Sequence, residues 1–349
     1  MPIELLGMIA TTAGSESKAI AGPVVDPAYV REFSRAHEDA GFDRVLIGYS
    51  ASSPDGFAVA SAALHSTERL KVLIAHRPGF VPPTIVARKL ATLDHLTGGG
   101  RVAIHHITGG SEADQRRDGD YSEKQDRYRR TGEFIDVLRK TLTEDEPFDH
   151  EGEFYRFEGA YSAAKPATDA GIPIFFGGLS GGAVEVGAKN ADVYMLFGEP
   201  LAEVAEHIRT IRAAAAKEGR TIEFSLSTRP IVADTEEAAW AKADRIYAET
   251  EELIAAQKDG NTLSFARSRE PEAERGVGRS PAADRETRRR ARRAAVDRDH
   301  PPHRPSRQFH RAGGHARTGR RSSAEVLRPR RHAIPHPRLR SAGRRARLG

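Results

Sequence analysis

Three features of the sequence predict an α/β fold on a parallel sheet, a (β/α)8 TIM-type barrel that is incomplete at its last strand and helix. Up to about residue 256, short β-branched and aromatic runs alternate with longer amphipathic stretches. Seven such units follow one another, as parallel strands joined by crossover helices require. The 349 residues suffice for one large barrel or two medium domains. A doubly wound open sheet is the alternative. An eighth strand would have to lie after residue 275, and no strand pattern is visible there.

Leu5–Ala10 reads as the first strand, and Pro27–Ala40 as a helix closed by Gly41. Val45–Ile47 is the second strand, followed by a helix over Phe57–His65. Leu70–Ala75 is the third, and its helix, Thr84–Leu96, stops at Thr97-Gly98-Gly99-Gly100. Val102–Ile107 is the fourth, followed by a polar loop and a long helix from about Ser122 to Leu142. Ile172–Phe176, Val193–Phe197 and Ile222–Val232 complete the set, each followed by a helical segment.

The chain has no cysteine, which excludes disulfides, thiolate metal sites and a cysteine nucleophile. Met1–Gly14 has no basic start ahead of a long apolar core, so no export signal is read. No apolar run approaches the roughly 20 residues of a membrane helix. The expectation is a soluble, cytoplasmic protein.

The formal net charge of +5 averages two unlike pieces. Residues 276–349 hold 22 Arg, no Lys and 5 acidic residues, a net of +17. The remaining 275 residues keep 32 of the 54 basic and 44 of the 49 acidic residues, a net of −12. The predicted organisation is therefore a barrel over residues 1–275 and an arginine-rich, disordered tail over 276–349.

In a barrel of this kind the site lies at the carboxyl ends of the strands. Three polar clusters fall there: Ala75-His76-Arg77-Pro78, His105-His106-Ile107-Thr108-Gly109-Gly110, and Gly177-Gly178-Leu179-Ser180-Gly181-Gly182. The last precedes a helix over Ala183–Lys189. Glycines let backbone approach a ligand, a helix start offers N–H groups and a positive dipole end, and Ser180 adds a hydroxyl. A phosphate suits such a loop; a turn with no ligand is the plainer alternative. His105 and His106 are adjacent on a strand and point to opposite faces, so at most one faces the mouth. Either suits packing as well as ligand contact, and no metal site is read from their spacing. Arg229 interrupts an apolar strand, where a buried arginine binds an anion or a structural carboxylate.

These stretches resemble the bacterial luciferase-like flavin monooxygenases, and most closely the alkanesulfonate monooxygenase branch. The matching residues are Arg44-Val45-Leu46-Ile47, Ala87-Arg88-Lys89-Leu90-Ala91-Thr92-Leu93-Asp94, and Thr108-Gly109-Gly110-Ser111. Arg127-Tyr128 ahead of Glu133-Phe134, Phe175-Phe176-Gly177-Gly178-Leu179-Ser180, and Ala191-Asp192-Val193-Tyr194 with Gly198-Glu199-Pro200 continue the match. The resemblance implies a (β/α)8 barrel that takes reduced FMN from a separate NAD(P)H-dependent flavin reductase. With dioxygen it would oxidise a small substrate, often breaking a carbon–sulfur bond. By position, Gly178 and Ser180 match the phosphate loop, His105, Thr108 and Tyr128 line the flavin, and His76 is a further contact. A coenzyme F420 oxidoreductase on the same barrel is the close alternative. Two departures concern the substrate: Ser53 stands where alkanesulfonate enzymes carry cysteine, and Ser227 and Arg229 where they carry arginine and histidine. Arg229 would hold an anionic sulfonate or sulfinate head. Oligomerisation is left open.

The tail reads as a shifted frame. Joining the last two codon bases of each residue to the first base of the next permits NSTALVGTPEQVA from Gln308–Arg321 and KYYDLGVTRFLIRGFDPLED from Glu325–Arg345. Both are apolar-patterned and resemble the ending of the family, and FLIRGF has the pattern of the missing eighth strand. The break falls near Arg275–Gly278. The chain as written is therefore expected to have poor or no activity. Alternatively, 22 arginines would bind nucleic acid, without specificity, because Phe309 is the sole aromatic after Phe265 to stack on bases.

Overall fold

A computed structural model of the chain describes residues 3–15, 22–109 and 111–258, with the backbone alone for 256–258. The expectations for residues 276–349, including the disordered tail, lie outside the described residues.

Seven strands form one parallel sheet: β1 (Leu6–Ile9), β2 (Arg44–Ile47), β3 (Lys71–His76), β4 (Val102–His106), β7 (Ile174–Gly177), β8 (Val193–Phe197) and β9 (Glu223–Ser227). They are neighbours in that order, with β1 and β9 at the two edges among the described residues. Helices α1 (Pro27–Asp39), α2 (Gly56–His65) and α3 (Pro83–Leu96) follow the first three strands. α5 (Lys124–Thr143), α6 (Gly181–Asn190), α7 (Leu201–Lys217) and α8 (Glu236–Lys258) follow β4, β7, β8 and β9. This is the curled, helix-clad parallel sheet of a TIM-type barrel. No helix among the described residues is long and apolar enough to cross a membrane.

The strands are apolar on both faces because each face is covered. One parity of each strand meets the helices: Val45, Val72, Ile74, Val102 and Ile104 share a buried cluster with Val30, Leu64 and Leu90. The other parity meets across the inside of the curl, where Leu73, Ala103 and Phe175 are buried against Leu6, Leu46, Val193 and Met195. Strands from β1 to β8 contribute to that inner cluster, so the sheet turns in on itself.

Local signals set the ends of the helices. Asp26 caps α1 through Oδ1, which accepts from the Ala28 and Tyr29 amides, and Pro27 opens the first turn. Asp55 caps α2 in the same way. Glu38, at the far end of α1, accepts from the Arg69 and Leu70 amides at 2.5 and 2.8 Å and fixes the entry to β3.

Three elements differ from the sequence reading. An antiparallel hairpin, β5 (Phe148–Glu151) with β6 (Arg156–Ala160), stands between α5 and β7. Its strands carry charges at the exposed positions and lack a long apolar run, so periodicity did not mark them. The polar loop after β4 contains a short helix, α4 (Glu112–Arg117), capped by Ser111. The last strand stops at Ser227 instead of reaching Val232. Its partner β8 ends at Phe197, which pairs with Ser227, and Val232 beyond it is 74% exposed.

Candidate active site at the carboxyl ends of the strands

The loop after β7 has a constrained backbone. Gly178 sits at φ +137°, and a Cβ there would lie 2.8 Å from the Ala183 Cβ. Both the dihedral and the space demand glycine. Tyr194 of β8 donates its hydroxyl proton to the Gly178 carbonyl at 2.6 Å. Burial pushes the Tyr194 phenol well above its ordinary pKa, so it remains a donor. Ser180 caps α6, its hydroxyl oxygen accepting from the Ala183 amide at 3.4 Å. No acidic side chain occupies the first turn of α6, and space beside Gly181 is open for at least 4 Å from a Cβ position. A helix start, a serine hydroxyl and open space beside Gly181 are the makings of an anion site.

Tyr128 of α5 lies against this loop. Its ring comes within 3.1 Å of a Cβ position on Gly182, and its hydroxyl within 3.8 Å of one on Gly178. Sequence positions 128, 178 and 180 are thus brought together by the packing of α5 on α6 and β7.

His105 faces the inside of the curl. Its Nε2 stands 3.8 Å from a Cβ position on Gly177, across the β4–β7 ladder. Both ring nitrogens are buried without a protein partner. Burial lowers its pKa to about 4, so the ring is neutral near pH 7. A neutral imidazole with unspent hydrogen-bonding capacity can meet a polar ligand edge. Thr108, two residues beyond β4, is buried, and its carbonyl accepts from the Gln115 side-chain amide at 2.8 Å. Gly109 follows with φ +80°.

His76 and His106 are on the opposite face of the sheet. The His76 ring lies 5.4 Å from Phe134 and 6.3 Å from Phe57, and the His106 ring 5.2 Å from Phe134. Both belong to the layer between sheet and helices, whereas His105 faces the inside of the curl. The reason is strand parity: His76 shares the face of Ile74, and His106 that of Ile104. Burial lowers the pKa of His76 to about 3 and that of His106 well below the ordinary range.

Arg229 is not part of an apolar strand. It is exposed, in the segment beyond the end of β9. Ser53 closes a serine turn, its hydroxyl oxygen accepting from the Ser50 amide at 2.9 Å. Among the described residues no group of three or more histidine or acidic side chains is placed to hold a metal ion.

Sequence reasoning passed over a buried ion-pair network at the same rim. Arg77, 3% exposed, pairs with Asp114 and, at 3.3 Å, with Asp118. Its guanidinium lies over the Tyr49 ring at 4.7 Å, and the Tyr49 hydroxyl donates to Asp118 at 2.9 Å. No spacing rule links residues 49, 77, 114 and 118. The run of acids in a loop without core residues was the available signal.

Known structures share this architecture. Riboflavin lyase RcaE, solved with modified FMN and riboflavin, is 22% identical at a TM-score of 0.64, covering 71% of this chain and 67% of that one. The long-chain alkane monooxygenase LadA is 20% identical at 0.60, covering 69% and 66%. An F420-dependent secondary alcohol dehydrogenase, solved with an F420-acetone adduct, is 19% identical at 0.56, covering 65% and 68%. This chain spans about two thirds of the length of each. The luciferase-like monooxygenase family model matches residues 3–315, which takes in every described element. By that match the chain belongs to the bacterial luciferase-like monooxygenase family.

Proposed function

We propose that this barrel is an FMN-dependent monooxygenase, taking reduced FMN from a separate NAD(P)H-dependent reductase and oxidising a small organosulfur compound such as an alkanesulfonate with dioxygen. The observation that carries the reading is the Gly178–Ser180 loop at the start of α6, with its open cradle beside Gly181. FMN ends in a phosphate, the ligand chemistry such a loop favours. The residues fit the rest of the group as well. His105 offers two buried, unpartnered ring nitrogens to a polar heterocycle, and Tyr128 offers an aromatic body beside the loop.

Bound reduced flavin supplies the two electrons that divide dioxygen between the substrate and water. The chain's own residues hold and shield. Ser180 and the α6 amides would bind the phosphate, and Tyr194 would hold the loop by engaging the Gly178 carbonyl. His105, neutral near pH 7, orients the ring by hydrogen bonding without adding charge. Phe175, buried in the inner cluster, keeps water from the floor of the curl. Arg229, exposed beyond β9, is the proposed holder of an anionic substrate head.

The arginine-rich segment is read as a shifted frame, so full activity belongs to a frame-restored chain carrying FLIRGF as the eighth strand. An F420-dependent oxidoreductase is the second reading, favoured by the shared fold of the F420-dependent alcohol dehydrogenase. The test is an anaerobic titration of reduced FMN, and in parallel of F420, into this chain and a frame-restored one. FMN binding by the restored chain supports the first reading; binding of F420 alone overturns it.

A further inference from the structure

The segment from Ser111 to Ser122 covers the rim after β4 with almost no apolar side chain of its own, and Tyr121 is 75% exposed. It is held instead by charge. Glu112 pairs with Arg127 at 2.6 Å, Asp120 with Arg130 at 2.5 Å, and Asp114 and Asp118 with Arg77. Arg127 and Arg130 come from α5, whereas Arg77 comes from the strand-end loop after β3.

Arg77 is the member that reaches the proposed ligand side. Asp114 also accepts from the Ala51 amide at 3.1 Å, so the loops after β2, β3 and β4 meet at one guanidinium. Gln115, next to Asp114, holds the Thr108 carbonyl at 2.8 Å. The Arg77 Nε is buried without a protein partner and lies 3.4 Å from a Cβ position on Gly109. A buried ion pair is a weak source of net stability, because desolvation offsets much of the attraction. Its geometry is nevertheless exacting, and a planar fork between two carboxylates fixes direction as well as distance.

We propose that Arg77 is a positioning residue: it clasps the Ser111–Ser122 segment and thereby fixes Thr108 and Gly109 at the mouth of the barrel. The clasp stands on the geometry alone. Its consequence for FMN rests on the reading given under Proposed function.

The full chain and its Arg77→Met, Arg77→Lys and Asp118→Asn variants would be compared by hydrogen exchange and by anaerobic titration with dithionite-reduced FMN. Arg129→Met is the control, since Arg129 is exposed and its ion pairs are with Asp126 and Glu153, outside the Ser111–Ser122 segment. In Arg77→Met, exchange over residues 108–122 should rise about tenfold or more while β3 and β4 keep their protection. FMN affinity should fall about tenfold in parallel. Arg77→Lys should recover part of both effects, and the control neither. Asp118→Asn removes one pair and keeps the test decisive if Arg77→Met does not fold. Unchanged exchange over 108–122, or an equal rise in β3 and β4, overturns the clasp. A loosened segment with unchanged FMN affinity overturns its link to the ligand. A parent chain that binds no FMN leaves the flavin reading to the frame-restored chain, and exchange alone then decides the clasp.

Discussion

The Tyr194 hydroxyl donates to the Gly178 carbonyl at 2.6 Å, joining a residue of β8 to the glycine loop that leaves β7. Tyr194 is fully buried between the sheet and α6. The bond engages the Gly178 carbonyl oxygen. Replacement by phenylalanine keeps the packing and removes the donor. Tyr194→Phe should cost about 1 kcal/mol in denaturant unfolding. It should weaken reduced-FMN binding more than any distant substitution of equal stability cost. Equal FMN affinity in the two proteins would show that the bond serves the fold alone.

The two glycines of the loop should separate shape from binding. Gly178→Ala forces a side chain into positive φ and against Ala183, at a cost of about 1–3 kcal/mol. Gly181→Ala meets nothing within 4 Å and lies in a helix, so stability should hold or rise slightly. Its methyl group nevertheless enters the proposed phosphate space. Thermal melting with FMN titration checks the pair: Gly181→Ala should lose affinity at unchanged stability, and retained affinity would move the phosphate elsewhere.

Acid should weaken the fold through the buried imidazoles. His76 and His105 have pKa values lowered to about 3 and about 4 by burial, and His106 is lowered as well. Unfolded histidine titrates near 6.5. Below that value the unfolded chain takes up protons that the native chain refuses, so stability is present above about pH 6.5 and falls as the pH drops toward 4. Urea unfolding at a series of pH values should show this slope. His76→Phe should flatten it, and an unchanged slope would place the proton uptake elsewhere.

Restoring the reading frame after about residue 275 should raise stability and tighten flavin binding. Adding a strand and a helix buries apolar surface at roughly 25 cal/mol per Å². The restored chain should melt at a higher temperature and bind reduced FMN more tightly than the chain as written. Identical melting and identical binding would refute the shifted-frame reading.

Arg229→Ala, made in the restored chain, tests the anionic substrate. The side chain is exposed, so melting should not change. If it holds a sulfonate head, KM for an alkanesulfonate should rise about tenfold, the equivalent of one charged hydrogen bond, with kcat less affected. An unchanged KM would remove sulfonate recognition from this residue.

Much of the fold was legible because its signals are local. The apolar, β-branch-rich runs at Val72–Ile74 and Val102–Ile104 are strands buried on both faces, and glycine stops after Leu96 end a helix where the sequence says they should. The glycine-serine cluster before α6 was legible for the same reason, since positive φ and a helix cap depend on adjacent residues. The hairpin of β5 and β6 was not, because two short charged strands have little periodicity to offer. The end of β9 is not local either, because it falls where its partner β8 ends, at the Phe197–Ser227 pair.

Alternation of strand and helix, the glycine–serine turn ahead of α6 and the opposite facing of His105 and His106 are written locally, because each depends on neighbours within a few residues. Packing of the whole sheet makes His105 turn inward and His76 outward, brings Tyr128 and Tyr194 to one glycine loop, and lets Arg77 gather three loops. Strand parity fixes only relative facing. Which face becomes the inside is set by where the helices pack, and that depends on apolar surface summed over the whole sheet.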